Sequence, residues 1–390
     1  LLSLGCGRGV ESVAWSPDNS RIATGSDNGV WVWDAVTGKG LLSLECGDVV
    51  KSVAWSPDSR RIVTSSTFDD LRVWDAVTGK GLLSLGCGRG VESVAWSPDG
   101  SRIVTSSSFD DVRVWDAATE GNVLSFEHDN RVESVSWSPD GRCIVASSVG
   151  GAQVWDAVTG EELLSLGCGR GVESVAWSPD GSRIVTGSYD GAWVWDAVTG
   201  KRLLSLKCGD VVKSVVWSPD GSRIVTSSTF DGVRVWDAVT GKELLSLERV
   251  HGVKSVAWSP DGKRIATGSD NGVWVWDAVT GENVLSLKHS RLIESVAWSS
   301  DGKRILTKTR RNEIRIWDVT SGEQVSFFIT PLPEGERVVL SADQTKVIGA
   351  SAGAWRWLGR LAVLPDGKLE RIPVEIDGPL PPLGPDAEVE

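Results

Sequence analysis

The chain has 390 residues, 41% of them hydrophobic and 24% charged, with a formal net charge of −12. An acidic balance without clustered Lys and Arg argues against general affinity for nucleic acid or anionic membrane, and no apolar stretch approaches the ~20 residues of a membrane-spanning helix. Methionine is absent and tryptophan occurs 21 times. With no basic, apolar leader at its start, the sequence reads as cytoplasmic, and the opening Leu1-Leu2-Ser3-Leu4 reads as the start of a fragment of something longer.

Taken in order, Trp-Asp pairs stand at Trp33-Asp34, Trp74-Asp75, Trp115-Asp116, Trp155-Asp156, Trp195-Asp196, Trp236-Asp237, Trp276-Asp277 and Trp317-Asp318, always 40 or 41 residues apart. The unit from Val91 shows what each repeat builds. Val91-Glu92-Ser93-Val94-Ala95-Trp96 is a β-branched, aromatic run, and Ser97-Pro98-Asp99-Gly100 ends it with turn chemistry. Arg102 to Thr105 forms a second strand and Val112 to Trp115, alternating with period two, a third. A fourth lies near Val123 to Phe126, and no segment carries a helical period. A ninth, eroded unit follows, with Val338 to Asp343 where the others have Ser-Val-Ala-Trp-Ser-Pro-Asp, and Ala354 to Trp357 where they have the Trp-Asp strand.

Four short antiparallel strands per ~40 residues is the blade pattern of a propeller. The Ser-Val-Ala-Trp-Ser-Pro-Asp-Gly run, the Asp-containing turn and the terminal Trp-Asp resemble the WD-repeat family over residues 1–358. The resemblance implies an all-β, closed WD-repeat β-propeller. Its radial blades surround a central channel, and the orphan N-terminal strand Leu1–Leu4 completes the last blade at 336–358. Nine four-stranded blades are expected, eight clear units plus one degenerate; an eight-bladed ring with a spare unit is the rival, disfavoured because one blade cannot bury its own faces. Residues 359–390 are expected to form a C-terminal hairpin around Pro365-Asp366-Gly367 and a Pro-rich acidic tail.

Sixteen tryptophans recur at the innermost strand and in the Trp-Asp pairs, which marks them as core. Five cysteines, Cys6, Cys46, Cys87, Cys168 and Cys208, recur at one position of the repeat, too scattered to ligate a metal and read as small buried thiols. They stand where family members often carry His, which leaves His128 and His289 as the matching imidazoles. The resemblance therefore implies that the His-linked polar network is incomplete in most blades.

Chemistry is missing. The chain has three histidines and no His-Glu-x-x-His, Cys-x-x-Cys or P-loop; Gly5-Cys6-Gly7-Arg8-Gly9 precedes a strand, not a helix. Its carboxylates recur from unit to unit in turns, whereas an active site is a single asymmetric constellation. No catalytic residue, cofactor or metal is expected.

What varies between the near-copies is two short windows. The first precedes the innermost strand and carries Arg8 and Glu11, Asp48 and Lys51, Arg89 and Glu92, Arg131 and Glu133, Arg170 and Glu173, Asp210 and Lys213, His251 and Lys254, and Arg291 and Glu294. In six of eight units the outer residues have opposite charge. They form either local ion pairs free to drift or, because the resemblance places this window on the partner-receiving face, a ring of charge suited to a protein surface. The second window is the turn before the third strand, with Phe68, Phe109, Tyr189 and Phe230 as aromatic anchors. It also includes a strand position that alternates between Trp31, Trp193, Trp274 and Arg72, Arg113, Arg234, Arg315, expected to stack on the neighbouring structural Trp.

Segments shared between units, such as Arg21–Gly38 with Arg264–Gly281, suggest recent amplification. In that style the chain resembles C-terminal WD-repeat propellers of bacterial or fungal signalling proteins, which implies a non-catalytic recognition module binding a protein or peptide, monomeric within a longer chain, with no nucleic-acid or membrane partner. A structural or oligomerising propeller and a repeat-site small-molecule or glycan binder are the alternatives.

Overall fold

The computed structural model describes residues 10–322 apart from short loop positions (28, 37, 68–70, 87–89, 108–111, 120, 127–131, 170, 229–231, 248–251, 271, 290–291 and 311–312, with the side chain of Glu133) and, beyond them, the strand backbones at 324–325, 327–331, 337–341, 347–350, 359–363 and 369–373. Blade 1 is a meander of Ser12–Trp15, Arg21–Ser26, Gly29–Asp34 and Gly40–Leu44, paired antiparallel in that order. Blades 2 to 8 repeat it at 50–85, 91–126, 132–166, 172–206, 212–247, 255–288 and 293–325. The first strands of successive blades adjoin, so they line the centre, and the fourth strands form the rim.

Each joint between blades is a dry core of β-branched residues. Between blades 2 and 3, Val63, Val73, Leu85, Val91 and Ile103 are fully or almost fully buried, with Trp96 and Trp115 beside them. Two polar clamps recur over this core. The indole N–H of Trp55 donates to the Ala14 carbonyl of the blade before at 3.2 Å, and Trp96, Trp137, Trp217 and Trp298 repeat the bond on Ala54, Ala95, Ala176 and Ala257. The guanidinium that opens a second strand reaches forward. Arg61 donates to the Ala117 carbonyl at 2.9 Å and Arg183 to Ala238 at 2.6 Å, with Arg21, Arg102 and Arg223 doing the same on Ala76, Ala157 and Ala278.

The ring closes on eight blades, not nine. Val10, Ile22, Trp33 and Ala35 of the first unit share one core with Leu306, Ile314 and Ile316 of the eighth. Arg304 then donates to the Ala35 carbonyl at 2.6 Å, the clamp of the other joints. No face remains for a further blade. Phe327–Pro331, Arg337–Ser341 and Val347–Ala350 form a separate three-stranded sheet in which the strand preceding the unit pairs with the one that should be innermost, a topology no blade has. The eroded sequence explains it, since Leu340 and Lys346 stand where a joint needs Trp and Arg. Gly359–Val363 and Leu369–Pro373 pair as a further two-stranded sheet. The expected closing strand, Leu1–Leu4, lies outside the described residues.

The closing joint has a fastening of its own. At six other joints a turn glycine lies against the proline of the preceding blade, as Gly100 does on Pro57 and Gly302 on Pro260, and at the joint of blades 1 and 2 Ser59 takes its place, its Oγ accepting from the Asp18 N–H at 3.1 Å. At the closing joint Asn19, at φ 61°, replaces the glycine and Ser300 the proline. Asn19 Nδ2 donates to Ser300 Oγ at 2.6 Å, the Ser300 N–H, which a proline would lack, donates to Asn19 Oδ1 at 2.6 Å, and Ser300 Oγ donates to the Pro17 carbonyl at 2.9 Å.

The internal polar network is shortened, not lost. In seven blades the Trp-Asp indole donates to a second-strand threonine, as Trp74 does to Thr64 at 3.0 Å; blade 4 has Ala146 there. Cys46 Sγ lies 3.9 Å from that Thr64 hydroxyl and Cys208 donates to Thr226 at 3.6 Å, so the thiol replaces the imidazole as third member. Burial pushes the Cys168 thiol up to about 11, as expected of an inert core cysteine. His289 keeps the imidazole form, with Nε2 3.2 Å from Thr307 Oγ1; burial, aided by the Arg315 charge, lowers it to about 3.

Candidate docking face

Antiparallel pairing decides where the variable windows go. The segment entering each innermost strand and the turn between second and third strands leave from the same end of the meander, so the described residues of both windows share one face, called upper here. The Ser-Pro-Asp and Asp-Ala-Val-Thr-Gly turns take the lower face, where Val198 is 83% exposed.

The two windows are tied together across joints. The Gly90 N–H of blade 3 donates to the Thr67 carbonyl of blade 2 at 3.2 Å, and Gly171 of blade 5 to Val149 of blade 4 at 3.0 Å. The fullest example lies between blades 5 and 6. Tyr189, half exposed, covers Gly171 so closely that a Cβ there would stand 2.5 Å from the ring. The Lys213 ammonium sits 5.5 Å from the Tyr189 ring centre and 3.0 Å from Glu173 Oε1. An aromatic anchor of one window thus meets the charges of the other.

Pairing of these charges departs from the local scheme read in the sequence. Lys51 pairs with Glu11 at 3.9 Å and Lys213 with Glu173, each lysine reaching the glutamate one blade back rather than the Asp of its own window. Asp48 instead takes its neighbour's backbone, the Val49 N–H at 2.7 Å. Glu294 pairs within its blade, with Lys308 at 2.9 Å. Glu11, Lys254 and Tyr189 are exposed, while Asp48, Lys51, Glu92, Glu173, Asp210, Lys213 and Glu294 are half-buried. Arg8, Phe68, Arg89, Phe109, Arg131, Arg170, Phe230, His251 and Arg291, with the side chain of Glu133, lie outside the described residues.

The alternating third-strand position stacks within its own strand. Trp31 lies 5.8 Å from Trp33 and Trp274 6.2 Å from Trp276, while the Arg72 and Arg315 guanidinia lie 5.9 and 5.8 Å from Trp74 and Trp317. Residues absent from the sequence-based site are Lys288 at the end of blade 7 and Lys308 and Arg310 of blade 8, the latter two signalled only by a turn, Lys308-Thr309-Arg310-Arg311, unlike the other seven. Among the described residues no group of three or more His, Cys, Asp or Glu is placed to hold a metal ion, and no helix is long and apolar enough to cross a membrane.

Comparison with known proteins fits this geometry. The chain is similar in fold to the computationally designed Ika8 protein, whose crystal structure (packing No. 1 in P63) superposes with a TM-score of 0.72 over 80% of this chain and 96% of that one, at 23% identity. A search of curated proteins gives no match. The WD40 profile, described as WD domain, G-beta repeat, matches residues 2–34, 39–75, 80–116, 121–156, 160–196, 200–237 and 241–277. WD40 propellers are generally non-catalytic scaffolds that bind proteins. With seven matched repeats spanning well over half its length, the chain belongs to the WD40-repeat family.

Proposed function

We propose that this propeller is a non-catalytic recognition module, a sensor arm of a larger signalling protein, which binds a protein or peptide on its upper face. The observation that carries the reading is the cluster of Tyr189, Lys213 and Glu173, in which an exposed aromatic is held over an ion pair spanning two blades. A rigid aromatic flanked by charge is the composition of a protein-binding hot spot, and the surrounding charges supply orientation more than affinity. Among the described residues Cys46, Cys143, Cys168 and Cys208 form no disulfide, which suits a reducing, cytoplasmic setting. The carboxylates that repeat around the ring are bound into turns, which supports recognition without catalysis.

A photo-crosslinking residue at Tyr189, compared with one at Val198 on the lower face, tests the proposal. Partner adducts are expected from position 189 and not from 198. Charge reversal of Glu11, Lys51, Glu92 and Glu173 should abolish them, and equal adducts from both faces would remove the reading.

A further inference from the structure

We infer that the upper face carries, over blades 7 and 8, a basic docking sector for an acidic segment of a partner protein. The inference rests on the recognition reading above and names its chemistry. In a chain of net charge −12, the second-window turn of blade 8 is the exception, reading Lys308-Thr309-Arg310-Arg311 where other units place Asp, Gly or Phe-Asp.

Geometry gathers these cations into one place. The Arg310 N–H donates to the Leu292 carbonyl at 2.9 Å, which fixes the turn against the segment entering blade 8. Arg315 donates to the Lys288 carbonyl at 3.3 Å, which draws the preceding strand end alongside. The Val296 N–H donates to Ser255 Oγ of blade 7 at 3.1 Å, so Lys254, one residue before Ser255, borders the same sector.

Asp270 of the blade 7 turn is exposed against Gly252, but the two glutamates of blade 8 are already occupied. Glu294 is held by Lys308, whose side chain is only 8% exposed, and Glu313 by Arg315, only 12% exposed. At the joints bearing Lys51 and Lys213, the lysine finds a glutamate one blade back. Lys254 finds Lys213 in that position, itself paired with Glu173, while the Glu294 of the next blade is taken by Lys308. Lys254, Lys288 and Arg310 are therefore exposed cations with no ion pair among the described residues. A buried lysine that neutralises the local acid leaves the surface above it positive.

The rest of the face sets the size of the anion. Glu11, Glu92, Glu173 and Asp190 lie on the same side of the ring. A nucleic-acid strand extending beyond the sector would run into that arc within the ~8 Å over which charges act at physiological salt, whereas a short run of Asp or Glu need not. An acidic segment on a protein whose flanks are neutral or basic fits both parts.

The test uses the full chain and a short fluorescein-labelled peptide of alternating Glu and Ser, read by fluorescence anisotropy, against its Gln/Ser counterpart and a single-stranded oligonucleotide of equal charge. The Glu/Ser peptide should bind, more weakly as salt rises, and the other two should bind less well. The triple variant Lys254→Gln, Lys288→Gln, Arg310→Gln should weaken peptide binding about tenfold, the combined effect of three exposed charge contacts. Arg310→Gln alone, safe for the fold because the side chain is exposed, should give about a third of that free-energy change. Peptide binding that ignores these substitutions, or tighter binding of the oligonucleotide, would overturn the inference. Partner crosslinking at Tyr189 that persists in the same preparations would show that the sector fails while the recognition face stands.

Discussion

The first residue of each second strand governs how firmly a blade holds the next one. Six blades place Arg there with its guanidinium on a neighbouring carbonyl, blade 4 has Cys143, and Arg264 of blade 7 is exposed and reaches no such carbonyl among the described residues. A hydrogen bond from a charged donor is worth ~1.5–3 kcal/mol, so Arg183→Ala and Arg304→Ala should each lower the unfolding free energy by about 2 kcal/mol in urea titrations. Arg264→Ala should cost less than ~0.5 kcal/mol. The indole clamp varies in the same way. Five Trp N–H groups bond to an alanine carbonyl, but Trp15, Trp177 and Trp258 have no partner among the described residues; the neighbours of Trp177 and Trp258 carry Ser136 and Val216 at the alanine position, whereas that of Trp15 carries Ala297. Val216→Ala should recover the bond and raise stability by about 0.5–1 kcal/mol, although it deletes two methyl groups. A loss of stability in the same titration would mean that the isopropyl group matters more than the indole bond.

Among elements, the tight turn after each innermost strand explains the acid response. Ser97 Oγ donates to Asp99 Oδ1 at 2.6 Å, the Ser101 N–H donates to Asp99 Oδ1 at 3.0 Å, and the Arg102 N–H donates to Ser97 Oγ at 2.9 Å. The Ser hydroxyl bond, followed by those from the next Ser, draws Asp99, Asp180 and Asp220 down to about 2 from 3.8. Folded carboxyls more acidic than unfolded ones stabilise above pH ~4, and that stability is lost as pH falls from ~4 to ~2. His289 acts higher. Its folded value of about 3 lies below the ordinary 6.5, so the unfolded chain takes the proton first and stability declines from pH 6.5 downward. Melting temperature against pH should therefore fall in two limbs, and His289→Cys, the residue of five other units, should remove the upper one and keep the lower. Most of this layer was legible in the sequence, because Ser-Pro-Asp-Gly and Trp-Asp are local chemistry. The charge pairing was not, since Lys213 and Glu173 stand 40 residues apart and meet only when two blades abut. The candidate upper-face site reads in the sequence as two variable windows, but the proposed basic sector only as one irregular turn.

For the whole molecule, the blade count was the part local sequence could not decide. The eroded unit copies the repeat closely enough to be counted, yet the strands at 327–350 pair in an order that no blade uses. Asn19 and Ser300 looked like isolated departures from Gly and Pro, and their partnership over 281 positions is a property of the closed circle alone. Converting both to the repeat residues, Asn19→Gly with Ser300→Pro, removes three hydrogen bonds at the closing joint. Each is worth ~0.5–1.5 kcal/mol, so the variant should unfold about 2–3 kcal/mol more easily in urea. Hydrogen exchange should speed up first in blades 1 and 8, and uniform acceleration around the circle would contradict this.

That fastening bears on how such a chain finds its own ends. When every module resembles the next, the first could join the sixth or seventh almost as well as the eighth, and premature loops of the wrong circumference would compete during folding. A matched asparagine and serine, each present at this position in one module only, give the correct meeting an advantage no internal module can imitate, so the terminal modules carry an address that the repeats themselves lack.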